Sequence, residues 1–121
     1  MALLCRNSST MHKNLRLLYV TTETKQQASD LGRKIIEANL AACVNIIPAM
    51  ESIYKWENEI HTNSEAILIV KTHISKVQAV THFIKENHSY ECPCVISLNI
   101  AEDEGNPEYL KWLYESATER T

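Results

Sequence analysis

Apolar positions along the chain recur every second residue in some stretches and every third or fourth in others, and the changes of period mark out its elements. Residues 15–22, LRLLYVTT, are compact, apolar and rich in strand formers, and read as a buried strand. Thr24-x-x-Gln27 then has capping-box form, with Ala28, Leu31, Ile35 and Ala38 following at helical spacing. Residues 40–56, LAACVNIIPAMESIYKW, predict one long strand that Pro48 must bend or bulge, because proline has no N–H to give to a ladder. ENE (57–59) makes a turn and EAILIVK (65–71) returns. Ser75-x-x-Gln78 repeats the capping pattern ahead of a second stripe, Val77, Val80, Phe83 and Ile84. VISLNI (95–100) is a fourth strand. Asn106-Pro107-Glu108 opens a last helix with an N-cap, a proline at the first helical position and an acid favoured by the helix dipole. Leu110, Leu113, Tyr114 and Ala117 continue its apolar side.

The resulting order, β-α-β-β-α-β-α, is two β-α-β halves joined by a hairpin. It predicts an α+β, ferredoxin-like split βαβ sandwich: a four-stranded antiparallel sheet with two helices, plus a C-terminal helix. Strand length raises a further expectation. Strands in small sheets run to about five or six residues, and residues 42–56 offer far more. The distal part, 52–56, would overhang its own sheet with Tyr54 and Trp56 on one face at period two. An unpaired edge with exposed aromatics needs cover, so the hairpin and the third helix are expected to pair with neighbouring chains.

Composition narrows the class without naming it. A chain of 121 residues is one domain, taken as 15–121 after a flexible tail at 1–14. Its net charge of −3, with Lys and Arg scattered singly among acids, argues against a nucleic-acid partner. No apolar run reaches membrane-spanning length, and the short apolar stretch in MALLCRNSSTMHKN falls below a secretory leader. Cys5, Cys43, Cys92 and Cys94 form no C-x-x-C pair, which fits reduced thiols in a cytoplasmic setting.

Catalytic templates are missing. Gly32 and Gly105 are the only glycines, and neither belongs to a P-loop, a dinucleotide fingerprint or a nucleophile elbow. AEDEG (101–105) reads as a solvated acidic turn, so the chain is expected not to be an enzyme. HSYECPCV (88–95) carries more chemistry. Cys92 and Cys94 alternate by two and point to one side of an extended chain, with His88 and Glu91 within reach. Thiolate with imidazole suits Cu(I) or Zn, whereas free cysteine is also a common buried small hydrophobe, and both readings stand. Cys43, in an Ala-Ala-Cys-Val strand, reads as core.

LAACVNIIP (40–48), SIYKWENEI (52–60), VKT (70–72), HSYE (88–91) and YLKWL (109–113) together resemble the CutA family of divalent-cation tolerance proteins over about residues 15–118. The resemblance implies a homotrimer joined by inter-subunit strand pairing, similar in plan to the signal-transducing PII proteins. It also implies copper or divalent-metal tolerance, or a small effector held in an inter-subunit cleft. A structural or scaffolding trimer with incidental metal association is the alternative. The positions so implied are Cys43, His88 and Glu91 as metal contacts, with Cys92 and Cys94 added from their own chemistry, and a Cu or Zn ion as the cofactor. Tyr54, Trp56, Tyr90 and Trp112 are the expected trimer contacts. Four positions depart from the family pattern: Asn58 replaces the usual hairpin glycine, Ser89 a proline and Cys94 an acid, and Val20 stands in the region near the end of the first strand where some members carry a cysteine.

Overall fold

A computed structural model describes residues 13–119; apart from residues 13 and 14, the expected N-terminal tail lies outside the described residues. Strand β1 (Leu15–Thr22) leads to helix α1 (Lys25–Glu37), and β2 (Cys43–Trp56) and β3 (Glu59–His73) form the hairpin. A short 3-10 turn at Ile74–Lys76 precedes helix α2 (Val77–Asn87), then β4 (Val95–Asn99) and helix α3 (Pro107–Thr118). The sheet order is β2-β3-β1-β4 with every pairing antiparallel, the ferredoxin-like arrangement that the element order predicts.

Local chemistry sets the helix ends. Thr24 Oγ accepts from the Gln27 N–H at 3.1 Å, and the Gln27 side chain accepts from the Glu23 N–H at 3.0 Å. At the other end of α1, Asn39 takes a left-handed φ of 59°, and the Leu40 N–H reaches the Ile35 carbonyl at 3.1 Å. That is a Schellman closure with asparagine where glycine is commonest. It leaves Ala38, expected on the buried stripe, exposed as the C-cap. The second capping box does not form. The Ser75 hydroxyl turns back to His73 Nδ1 at 2.9 Å, and the same nitrogen accepts from the Ser75 N–H, so a histidine caps the 3-10 turn. Asn106 caps α3 as expected, accepting from the Glu108 N–H at 3.0 Å.

The core lies between one sheet face and helices α1 and α2. Leu18 and Val20 of β1 and Ala66, Leu68 and Val70 of β3 meet Ala28, Leu31 and Ile35 of α1 and Val80 and Ile84 of α2. Gly32 lets α1 settle close to the sheet, since a Cβ there would stand 3.0 Å from the Val44 side chain. Helix α3 covers part of the opposite face: Leu110 and Leu113 pack on Leu15, and Tyr109 hydrogen-bonds Lys71. Leu15 and Lys71 sit on alternate positions from the core residues Leu18 and Val70, which puts them on that second face.

The hairpin departs from expectation in an instructive way. The return strand runs from Glu59 rather than residue 65, so Ser52–Trp56 pairs along its length with Glu59–Asn63 and does not overhang unpaired. The polar stretch HTNSE carries no apolar signal, and only its partner strand makes it β. Pro48 lies within a bulge: between the Ile47↔Ile67 and Met50↔Glu65 pairs, β2 spends one residue more than β3. The extra residue reverses the strand's alternation. Met50, Ser52, Tyr54 and Trp56 therefore share the face of Ile47, away from α1 and α2. Glu57 and Asn58 turn the hairpin with φ of 51° and 65°, a two-residue turn of type I′ character built without glycine.

Candidate functional site

The second sheet face carries an open cleft of about 480 Å³ at the root of the hairpin. β1 contributes Thr21, the hairpin contributes Tyr54, Asn63 and Glu65, and the α2–β4 junction contributes Tyr90, Cys92 and Cys94. The bulge brings Tyr54 here, because a regular β2 would turn it to the other side. Its ring stacks on His61 across the strand pair, and its hydroxyl accepts from the Asn63 amide at 2.7 Å.

Glu65 organises the polar wall of the cleft. One carboxylate oxygen accepts from Ser52 Oγ at 2.6 Å and the other from the Tyr90 hydroxyl at 2.7 Å. These are charge-assisted bonds, short because the acceptor is ionised. Burial, the hydrogen bond to Glu65 and the nearby carboxylates push Tyr90 well above the ordinary tyrosine range. Tyr90 is therefore a neutral donor at physiological pH.

His88 fixes the loop that carries Tyr90. Its Nδ1 accepts from the Tyr90 N–H at 2.9 Å, which leaves Nε2 to donate to the Thr21 carbonyl at 2.8 Å. Both ring nitrogens are thus occupied by backbone, and the ring also leans on Tyr90 with centroids 4.7 Å apart. Metal ligation at this histidine requires one of those bonds to open.

The five expected metal contacts do not come together. Cys92 and Cys94 line the cleft, His88 is held behind it, and Glu91 is exposed outside its lining. Cys43 pairs with Lys71, six positions along β3 from Glu65 and so roughly 20 Å away. Among the described residues no group of three or more His, Cys, Asp or Glu side chains is placed to hold a metal ion. Cys43, Cys92 and Cys94 are free thiols. Of the expected interface residues, Tyr54 and Tyr90 line the cleft, Trp56 lies further out on the same strand face, and Trp112 stands on α3 beside Tyr109. Glu65, Ser52 and Asn63 escape a reading of the sequence. Their relation to Tyr54 and Tyr90 depends on the bulge and on a strand whose first half has no apolar pattern.

Fold and cleft define a class: a ferredoxin-like α+β domain with a long bulged hairpin and a tyrosine–carboxylate cleft at its root. The sequence profile described as CutA1 divalent ion tolerance protein matches residues 16–116, and the chain belongs to that family. The Protein CutA homolog of Xenopus laevis is 44% identical over 100 residues, covering 83% of this chain and 65% of that protein. Protein CutA 1, chloroplastic, of Oryza sativa subsp. japonica is 45% identical over 103 residues, covering 85% of this chain and 57% of that protein. The chain thus spans less than two thirds of the length of these relatives. The crystal structure of CutA1 from Oryza sativa superposes with a TM-score of 0.80 at 43% identity, covering 88% of this chain and 95% of that one. Among the described residues no helix is long and apolar enough to cross a membrane.

Proposed function

We propose that the chain works as a homotrimer of PII-like plan that responds to a metal ion or a small effector, catalyses no reaction, and acts in a cytoplasmic setting where its thiols stay reduced. The observation that carries the trimer is the second sheet face. Ile47, Ile96 and Leu98 are 42%, 52% and 48% exposed there, in line with Leu17, Tyr19, Ile67 and Ile69 and continuous with Tyr54 and Trp56. An apolar face of that extent favours burial against further copies of the chain. The cleft opens on this same face, so a neighbouring subunit would form its missing wall. Sedimentation equilibrium should return three times the chain mass; a stable monomer at roughly micromolar concentration would sink the assembly.

The response itself is tested by titrating Cu(II) and Zn(II) into the reduced protein, with His88→Ala as a control. Tight binding supports it, and binding at about micromolar or weaker that ignores the substitution removes it. A scaffolding trimer with incidental metal association is favoured by the full occupation of His88 by backbone groups.

A further inference from the structure

Two features of the cleft remain unused by that reading: it holds a pair of thiols, and its lining has a carboxylate but no cationic side chain. Cys92 and Cys94 are both unbridged. Pro93 fixes its own φ just ahead of β4, and where it is extended the residues on either side of it lie about 6.6 Å apart. That is at the far end of the Cα separation a disulfide tolerates, so an intrachain bridge would be strained. Two thiolates that share one ion at bond lengths near 2.3 Å stand up to about 4.6 Å apart, a span that alternate residues reach with ordinary rotamers.

Coordination number decides which ion fits. A four-coordinate zinc site needs ligands that the described residues of one subunit do not bring together. Soft monovalent d10 ions are satisfied by two thiolates alone. Glu65 has both oxygens engaged by Ser52 and Tyr90, so it acts through its charge, favouring a cation over an anion in the cleft.

We propose that Cys92 and Cys94 hold one soft monovalent cation of the Cu(I)/Ag(I) class between their sulfurs, in the cleft backed by Glu65. The step balances without redox chemistry: two S–M bonds form, two S–H bonds break, both protons pass to solvent, and the ion keeps its charge. The assignment rests on the metal-responsive reading and narrows it to two ligands and one class of ion.

Silver(I) is the probe, because it binds thiolates without changing oxidation state. Reduced full-length protein is titrated in chloride-free buffer with excess monothiol, which strips ions from single cysteines but competes poorly with a chelating pair. One Ag(I) per chain should be retained, and maleimide should then fail to label Cys92 and Cys94. Cys92→Ser and Cys94→Ser should each weaken retention by about 10²-fold or more, because the second sulfur acts at the high effective concentration of a short tether. Cys43→Ser should retain the ion. Sedimentation and melting of the serine variants establish that they are folded. Two ions per pair, full labelling of both cysteines in the silver-treated unaltered protein, or serine variants within about threefold of it overturn the assignment. If it falls while the trimer and the divalent-ion response persist, only the thiol pair is refuted. If silver is retained by a stable monomer, the broader reading fails instead.

Discussion

At the residue scale, the site is held by hydrogen bonds between segments far apart in the chain. Tyr90 meets a carboxylate 25 positions earlier, and Ser52 meets the same carboxylate 13 positions later. His88, Tyr90 and the cysteines were legible in the sequence because they fall in one short string of unusual composition. Glu65 was not, because it reads as the polar start of an apolar strand and gains its meaning only from what lies across the sheet. Tyr90→Phe should cost about 1–2 kcal/mol in chemical denaturation, since it leaves one oxygen of a partly buried carboxylate without its donor. Ser52→Ala on top of it should cost less than its own single change, because the two hydroxyls share an acceptor. His73 gives the fold a pH dependence. Burial, then the charges of Arg16 and Lys76, lower its pKa below 6.5. The unfolded chain therefore takes up this proton first, and the contribution is fully present above pH 6.5 and lost as pH falls toward the folded value. The urea midpoint should drop on acidification through that window. His73→Asn, which keeps an acceptor for the Ser75 N–H, should flatten the dependence; an unchanged slope would remove His73 as its source.

Element by element, the chain announced itself unevenly. Periodic stripes and caps gave β1, α1, β4 and α3 to within a few residues, because α1 and α3 bury their stripes on opposite faces of the sheet and are capped by local side chains. Two things were illegible for physical reasons. Residues 61–65 of β3 are polar on both faces and are strand only because β2 lies beside them. The Ser75 capping box lost to a histidine two residues earlier, whose ring accepts from the same N–H that a cap would have to satisfy nearby. Leu31, buried between α1 and the sheet, should cost about 2–5 kcal/mol when cut to alanine, read as a lower denaturation midpoint with an unchanged slope. A changed slope would mean that the compactness of one end state had moved.

At the scale of the whole molecule, the chain folded around its own core still leaves a broad apolar surface exposed. Trp56 is 63% exposed, and little of the subunit's own packing depends on it. Trp56→Ala should leave the far-ultraviolet spectrum intact while shifting sedimentation toward smaller species on dilution. A variant that stays fully assembled on heating and dilution would place Trp56 outside the interface. The bulge at Pro48 adds a rule about length. In the proposed trimer, one surplus residue decides which side of the hairpin arm would face the neighbours: the arm has two reading frames, and only one would present Tyr54 and Trp56 to them. Inserting one residue between Glu65 and Ala66 should let β2 pair regularly and turn the arm over, producing a subunit that folds yet fails to assemble in sedimentation. Deleting Ala49 should instead leave Met50 opposite Glu65 and keep the frame. Adding one residue to each strand next to the turn should keep the pairing in step and preserve assembly. The hairpin should therefore tolerate changes of composition, symmetric changes of length, and even loss of the surplus residue far better than the gain of a single residue opposite the bulge.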